Sequence, residues 1–154
     1  DVRCYTITDI YERVALTAIA SGEIGEHIAA AAIIAAGYRC NIVGSQGYDI
    51  VMFDDKDIYR VEVKSATKPK TQTRRHKNYK PYNYYVSRGS RTKRLISSND
   101  ADIVALVAND IKAVMFLPVK AIKVARVRKM PEDFGDETES LELALEAVRN
   151  DRLE

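Results

Sequence analysis

The chain has 154 residues, of which 46% are hydrophobic and 30% charged, and its formal net charge is +2. This length and composition predict one compact domain over residues 1–154 that buries its own core. Two cysteines, Cys4 and Cys40, and two histidines are too few and too dispersed for a zinc site, and reduced thiols fit the cytoplasm. The sequence has no signal-peptide pattern, and its longest apolar run, Ile28–Ala36, is too short to span a bilayer, so we expect a soluble protein with no membrane partner.

The chain opens with two predicted helices. The first covers Ile7–Ala20, with Thr8 as N-cap and apolar residues at helical spacing. Gly22 is expected to interrupt it. An alanine-rich second helix follows over Glu23–Ala36 and ends at Gly37, the residue type favoured just past a helix C-terminus. Its small side chains predict a close approach to a sheet.

Short β-branched and aromatic runs then predict strands. The second and third form a hairpin across a polar turn at 54–57, and the last two a hairpin at Asn109-Asp110. A loop with a short helix near Gln72–Tyr79 lies between, and a final helix is expected at about 139–150 with Leu141, Leu145 and Val148 on one face. The predicted strands are Arg39–Val43, Tyr48–Phe53, Ile58–Val63, Tyr84–Ser87, Ile103–Val107 and Ala113–Leu117. Together these elements predict an α/β domain with a largely mixed sheet.

Three polar residues of the first hairpin are candidates for a catalytic metal site. Side chains alternate along a strand, so Glu62 and Lys64 share one face while Val61 and Val63 face the core. Asp49 lies on the partner strand and is expected opposite a residue near Glu62. Converging carboxylates are ligands that Mg²⁺ prefers, and a neighbouring lysine can orient or deprotonate a water. The alternative is an ordinary surface ion pair on an edge strand, which is common and contributes little.

A basic segment follows this strand directly. No Asp or Glu occurs from Val63 to Asn99, whereas acids dominate Pro131–Glu154. Such a block predicts a polyanionic partner, because lysine and arginine neutralise phosphates and release counterions. The tyrosines among these cations are expected to pack in the core, above all Tyr84 and Tyr85. The residues predicted to bind DNA are Lys68, Lys70, Arg74, Arg75, Lys77, Lys80, Arg88, Arg91, Lys93 and Arg94.

The helix with Glu26, the Asp49 segment and the Glu62–Lys64 strand follow one another in an order that resembles the PD-(D/E)XK nuclease superfamily. The resemblance is greatest to archaeal Holliday-junction resolvases and intron-encoded homing endonucleases. The resemblance extends over residues 20–120, the nuclease core. It departs from the family pattern in having Tyr48, not proline, before Asp49, a departure that the family tolerates. The matching segments are Gly22–Glu26, Gly37–Tyr38, Ser45–Asp49, Val61–Ala66, Ala101–Val104 and Phe116–Val119.

The resemblance implies a restriction-endonuclease-like core, with a central mixed sheet of four to five strands flanked by helices. It also implies Mg²⁺, replaceable by Mn²⁺, held by Asp49, Glu62 and the carbonyl of Val63. Lys64 would act on the attacking water, and Glu26 would bind a second metal or a metal-bound water. Cleavage would leave 5′-phosphate and 3′-hydroxyl ends, and family members act as homodimers or larger homo-oligomers.

One assignment and the substrate stay open at this stage. Glu23 lies three residues from Glu26 on the same helix and could provide the helix carboxylate, although its place in the first turn has a simpler electrostatic reason. A homing-type enzyme cutting a double-stranded site is favoured, with a branched-DNA resolvase as the alternative. A catalytically inactive DNA-binding subunit and an RNA endonuclease are further hypotheses. The first is disfavoured by the complete set of catalytic residues, and the second by the lack of an RNA-specific module.

Overall fold

The computed structural model describes residues 18–44, 47–70, 78–89 and 91–154. In these ranges two helices and nine strands follow one another, with 3-10 turns at Val119–Ala121 and Pro131–Asp133. The elements are α1 (Ala18–Ala35), β1 (Arg39–Ile42), β2 (Ile50–Phe53), β3 (Ile58–Ala66), β4 (Tyr82–Tyr85), β5 (Ser87–Arg88), β6 (Arg94–Leu95), β7 (Ile103–Ala108), β8 (Ala113–Pro118), β9 (Arg126–Lys129) and α2 (Glu137–Leu153).

Five of these strands form a central mixed sheet in the order β1-β2-β3-β7-β8. β3 and β7 run parallel, and the other neighbours are antiparallel. A parallel pair needs a long crossover, and here the crossover carries β4, β5 and β6. The predicted α/β class with a mixed sheet of four to five strands flanked by helices is confirmed.

Both helices cover one face of the sheet. Ala29 and Ile33 of α1 and Leu141 and Leu145 of α2 are fully buried in a core that they share with β2, β3, β7 and β8. The predicted apolar face of the last helix is confirmed, and it packs on its own sheet. The helix begins earlier than expected, because Asp136 caps it by accepting a hydrogen bond from the Glu139 N–H at 2.8 Å.

A second core fills the opposite face. Tyr82, Tyr84 and Val86 pack there against Val104 and Leu106 of β7. All six residues of β7 are buried, as expected of a central strand that is covered on both faces. The two small sheets on this side, β4-β9 and β5-β6, add a layer that the sequence patterns did not predict.

Helix α1 corrects one prediction and confirms another. Gly22 does not interrupt the helix, which runs through it from Ala18 to Ala35. The predicted first helix, apart from residues 18–20, lies outside the described residues. Gly37 ends α1 with φ +95°, while the N–H groups of Gly37 and Tyr38 close the last turn onto carbonyls of α1, as in a Schellman motif.

The length and hydropathy of α1 also meet the criterion for a membrane span, with a mean hydropathy of 1.3 over 18 residues. Core helices of soluble proteins meet the same criterion. Here α1 contacts β1, β2, β3, β7 and β8, which is the position of a core helix.

The predicted hairpins are present with shifted ends. Residues Phe53 and Ile58 face each other across the first turn, which Asp54 closes by accepting hydrogen bonds from the N–H groups of Lys56 and Asp57. β2 begins later than predicted and β3 continues to Ala66, so residue 49 precedes its strand.

Between the two hairpins the predictions were less complete. The strand expected at Tyr84–Ser87 is two short strands, β4 and β5. Most of the short helix expected at Gln72–Tyr79 lies outside the described residues.

The outer edge of β8 is covered by polar side chains of α2. The N–H of Val114 donates to Glu137 Oε1 at 3.0 Å, and the N–H of Phe116 donates to Ser140 Oγ at 3.1 Å. These side chains occupy positions that backbone carbonyls of a further strand would otherwise take, so they protect an exposed sheet edge.

Candidate active site

The site lies where β2 stops accompanying β3. Regular pairing of the two strands ends at Ile50 and Val61, and the Asp49 N–H still donates to the Val61 carbonyl at 3.0 Å. The next donor on this edge, the N–H of Val63, instead bonds to the Asp49 carboxylate at 2.7 Å. A side chain therefore replaces a backbone partner and is fixed beside the second half of β3.

The carbonyl of Val63 faces the same open edge. Within a strand, the N–H and C=O of one residue point to the same side. The Val63 carbonyl is therefore directed towards the edge that holds the Asp49 carboxylate. On the other side, β3 pairs with β7 from Val61 to Ala66, which keeps this half of the strand extended.

Glu62 is buried among the chain's own cations. It is only 5% exposed, and Lys64 Nζ lies 2.8 Å from Oε1 while Arg88 Nη2 lies 2.6 Å from Oε2. Burial raises the pKa of Glu62; Lys64 opposes this shift, and the charge of Asp49 adds to it. The predicted pairing of Glu62 with Lys64 is present, but it is no exposed surface pair.

Glu26 of α1 belongs to the same electrostatic neighbourhood. Its pKa is raised, first by burial and then by the negative charges of Asp49 and Glu23, with a smaller effect of Glu62. Glu26 lines the cleft next to Val63, whereas Glu23 is exposed on the helix. Glu26 is thus the helix carboxylate that lies at the cleft, and its role in the site stays a prediction.

A cleft of about 770 Å³ opens beside Glu26, Val63 and Lys64, while Asp49 and Glu62 are not among its lining residues. α1 forms one wall, the end of β3 forms the floor, and β4 and β9 form the other wall. Its polar lining includes Ser21, Glu26, Lys64, Ser65, Lys68, Lys70, Asn83 and Arg126.

A polar network holds α1 against the end of β3. Ser21 Oγ lies 2.9 Å from Thr67 Oγ1, and Asn109 Nδ2 donates to the backbone and side-chain oxygens of Ser21 at 3.0 and 3.1 Å. Gly25 faces Ser65 so closely that a Cβ at position 25 would lie 1.7 Å from Ser65 Oγ. The predicted close approach of small helix residues to the sheet is thereby confirmed.

The oxygen atoms of the site suit a hard divalent cation. Asp49, Glu62 and the Val63 carbonyl offer oxygen ligands beside the open half of β3, which suits Mg²⁺, and the charge of Asp49 contributes to the raised pKa of both Glu26 and Glu62. In the described ranges, no three His, Cys, Asp or Glu side chains are grouped closely enough to form a metal site as they stand. Lys64 and Arg88 provide the positive charge instead.

Several of the residues predicted to bind DNA are exposed, and two of them line the cleft. Lys68 and Lys70 line it, Lys80 is exposed nearby in the chain, and Arg91 and Lys93 are exposed between β5 and β6. Their contact with DNA stays a prediction.

Other residues of that set are placed differently. Arg94 forms a two-pronged pair with Asp100, both distances being 2.7 Å, and Arg88 is bound to Glu62 in the site. In the structure neither guanidinium is therefore a free phosphate contact. Arg74, Arg75 and Lys77 lie outside the described residues.

Strand β9 adds cationic residues that the sequence reasoning missed. Arg126 donates to Asn83 Oδ1 at 3.2 Å and its guanidinium carbon lies 5.7 Å from the centre of the Tyr85 ring. Tyr84 is buried as expected, but Tyr85 is 62% exposed, so its expected packing in the core is wrong. The available signal was the alternation of cations in Arg126–Lys129, which is typical of a strand with a solvated face.

The architecture defines an α/β protein whose mixed sheet opens at one strand edge beside a polar cleft, and known structures share the fold. One is the structure of a bacterial homing endonuclease, I-Ssp6803I, with a TM-score of 0.61 over 74% of this chain and 78% of that chain, at 16% sequence identity. At this identity the likeness is one of fold. No protein-family model matches the chain, and a search of curated proteins gives no match.

Proposed function

We propose that the protein is a Mg²⁺-dependent DNA endonuclease with the PD-(D/E)XK arrangement of Glu26, Asp49, Glu62 and Lys64. The observation that carries this proposal is the Asp49 carboxylate, bonded at 2.7 Å to the Val63 N–H beside the buried Glu62–Lys64 pair. Two acids and a lysine grouped at an open strand edge reduce stability, since buried charges are costly. The same grouping suits phosphodiester hydrolysis.

Each residue has a distinct task in this proposal. Asp49, Glu62 and the Val63 carbonyl hold the cation, and Glu26 serves a second cation or its water. A bound Mg²⁺, or Mn²⁺ in its place, supplies Lewis-acid activation of a water and of the phosphate. Lys64 favours the ionised form of Glu62, orients the attacking water and offsets charge that develops on the phosphate. The products are a 5′-phosphate and a 3′-hydroxyl.

The substrate we favour is a specific double-stranded site, cut by a homing-type enzyme. The fold shared with a bacterial homing endonuclease supports this choice, and a cytoplasmic, mobile-element-encoded enzyme is consistent with it. The cationic lining of the cleft, with Lys68, Lys70 and Arg126, suits the phosphate backbone.

A second copy of the chain is the proposed protein partner, because cutting both strands requires two sites. Leu141 and Leu145 are buried in the chain's own core and are not available to it. The contact between copies is therefore expected on another surface, and sedimentation equilibrium measures the assembly state.

Cleavage assays test the proposal directly. The protein is incubated with plasmid, linear duplex, single-stranded and four-way-junction DNA, each with Mg²⁺ and with EDTA. We expect double-strand cleavage at a few plasmid sites, only with Mg²⁺, and end-labelling gives the end chemistry. Cleavage that survives EDTA contradicts the mechanism, and a product from the junction alone replaces the homing-type enzyme with a resolvase.

A further inference from the structure

Strand β5 places an arginine directly on the buried acid of the site. Arg88 Nη2 lies 2.6 Å from Glu62 Oε2 and also donates to the Gly47 carbonyl, while Lys64 occupies Glu62 Oε1 at 2.8 Å. Both oxygens of a proposed metal ligand are thus bonded to cations of the chain.

The hydrogen bonding of the Arg88 guanidinium is incomplete. Its Nε is buried and has no hydrogen-bond partner among the described residues, an arrangement that costs free energy. Its strand pairs with β6 through two residue pairs, and the ribbon is fixed at one end by the buried Val86, whose carbonyl accepts from the Ile96 N–H at 3.1 Å. The hairpin tip beyond it carries the exposed cations Arg91 and Lys93.

Arg88 also lines a cavity of about 330 Å³, together with Arg60, Arg94 and Asp100. Arg60 is held by Asp102 and Arg94 by Asp100. In this trio only Arg88 is paired with an acid from the proposed metal site. Because Asp102 and Asp100 neutralise the other two arginines, a guanidinium that leaves Glu62 would be the arginine of this cavity without an acidic partner, and it could bind a phosphate there.

Charge balance indicates when Arg88 would leave. The carboxylates of Glu26, Asp49 and Glu62 are balanced by Lys64 together with one divalent cation. If Arg88 also stayed, these carboxylates and cations together would carry a net positive charge, and the divalent metal ion would compete with Arg88 for Glu62 Oε2.

We propose that Arg88 is the counter-cation of Glu62 in the metal-free protein, and that a divalent cation displaces it towards a DNA phosphate at the cavity beside Arg60 and Arg94. Metal and DNA then bind cooperatively, because each favours the position of Arg88 that the other requires. The inference rests on the proposed function and adds to it a positioning residue and its linkage.

Metal titration without DNA tests the first half. Mn²⁺ binding is followed by the electron paramagnetic resonance of the free ion in wild type, Arg88→Ala, Arg88→Lys and Arg39→Ala; Arg39 is an exposed arginine of β1 and serves as the matched control. We expect about tenfold tighter binding for Arg88→Ala, since a charge-assisted hydrogen bond no longer competes. Arg88→Lys should lie between Arg88→Ala and wild type, and Arg39→Ala should equal wild type.

The possible failures are distinguishable. Unchanged or weaker binding in both Arg88 variants, with melting curves that show folded proteins, overturns the inference alone. If Arg88→Ala does not fold, Arg88→Lys decides the question. Equal binding in wild type and Glu62→Gln overturns the metal site and, with it, the proposed function.

The salt dependence of DNA binding tests the second half. Affinity for a short duplex is measured against salt concentration in EDTA and in Ca²⁺, with the duplex checked to be intact. In wild type, Ca²⁺ should steepen the log–log slope by about 0.9, the value for one further phosphate contact. Arg88→Ala should show no such increase, and Glu62→Gln should show the steeper slope already in EDTA.

A wild-type slope that Ca²⁺ leaves unchanged overturns the displacement of Arg88. Absence of duplex binding under both conditions overturns the proposed function as well.

Discussion

At the scale of single residues, Asp49 combines a structural and a chemical task. Its carboxylate accepts the Val63 N–H at 2.7 Å and is a proposed metal ligand. An asparagine keeps an oxygen acceptor for that N–H but loses the charge, whereas an alanine loses both. The two substitutions therefore separate the two tasks.

We predict that Asp49→Asn abolishes Mg²⁺-dependent cleavage and leaves the free energy of unfolding within about 1 kcal/mol of wild type. Asp49→Ala should lose activity too and cost about 1–3 kcal/mol, because the Val63 N–H is left without its charged acceptor. Plasmid nicking and urea unfolding measure the two quantities. Equal stability of the two variants would contradict the structural task.

Lys64 is expected to matter for the reaction more than for DNA affinity. Lys64→Ala should lower the cleavage rate by about 100-fold or more, the range for a positioned acid–base group, while duplex affinity in EDTA changes little. Lys56→Ala, which removes an exposed lysine of the β2–β3 turn, is the control. A Lys64→Ala variant that cleaves at the wild-type rate would exclude the proposed role.

The residue scale also shows what local sequence can predict about the site. Glu62 and Lys64 follow from the two-residue period of a strand, and Asp49 follows from the hairpin that pairs with it. Arg88 lies 26 positions from Glu62 in the sequence and reaches it from a separate small sheet. No local pattern encodes that distance, so the sequence placed Arg88 on the DNA-binding face.

At the scale of elements, α1 shows how packing overrides intrinsic propensity. Glycine lowers helix stability, which is why Gly22 was expected to interrupt the helix. The helix continues because its face around Ala29 and Ile33 is buried on the sheet and because Gly25 permits contact with Ser65. The termination at Gly37 was predictable, since it depends on the backbone of that residue alone.

The two glycines of α1 provide a matched pair of substitutions. Gly25→Ala should destabilise the protein by about 1–3 kcal/mol, since its Cβ would lie 1.7 Å from Ser65 Oγ and 2.9 Å from Ser65 Cβ. Gly22→Ala meets nothing within 4 Å and should stabilise the protein by about 0.5–1 kcal/mol. Thermal and urea unfolding measure both effects.

The double variant Gly25→Ala/Ser65→Gly tests the cause. It removes the atoms that clash and should regain part of the lost stability. A loss that persists unchanged would show that contact with Ser65 is not the reason for glycine at position 25.

At the scale of the whole molecule, Asp54 joins the site hairpin to the C-terminal helix. It caps the β2–β3 turn, and Arg149 Nη2 of α2 lies 2.8 Å from its Oδ2. The N–H groups of Lys56 and Asp57 and the Arg149 guanidinium hold the pKa of Asp54 well below its usual range. The acid thus stabilises both an irregular turn and the packing of two distant segments.

We predict that this contribution to stability is lost in acid. The pKa of Asp54 in the folded protein is below its value of about 3.9 in the unfolded chain. The stabilisation is therefore complete above about pH 4 and declines as the pH falls towards the pKa of the folded protein. Asp54→Asn should cost about 1–2 kcal/mol at pH 7 and progressively less below about pH 4.

Urea unfolding at several pH values measures the difference. Asp55→Asn, an exposed position in the same turn, should change little at any pH. A difference between Asp54→Asn and wild type that stays constant from pH 7 to pH 3 would contradict the assignment.

At both the covered edge of β8 and the open edge of β3, a side-chain oxygen accepts a hydrogen bond from a strand N–H in place of a backbone carbonyl. At β8, Glu137 and Ser140 take the place of a missing strand, and the sheet cannot grow there. At β3, Asp49 takes that place for Val63, and there the substituting side chain is also a proposed metal ligand. Were β2 two residues longer at its start, ordinary backbone pairing would cover this edge of β3. The proposed site therefore depends on where the pairing of β2 with β3 stops, and not on the residues of β3 alone.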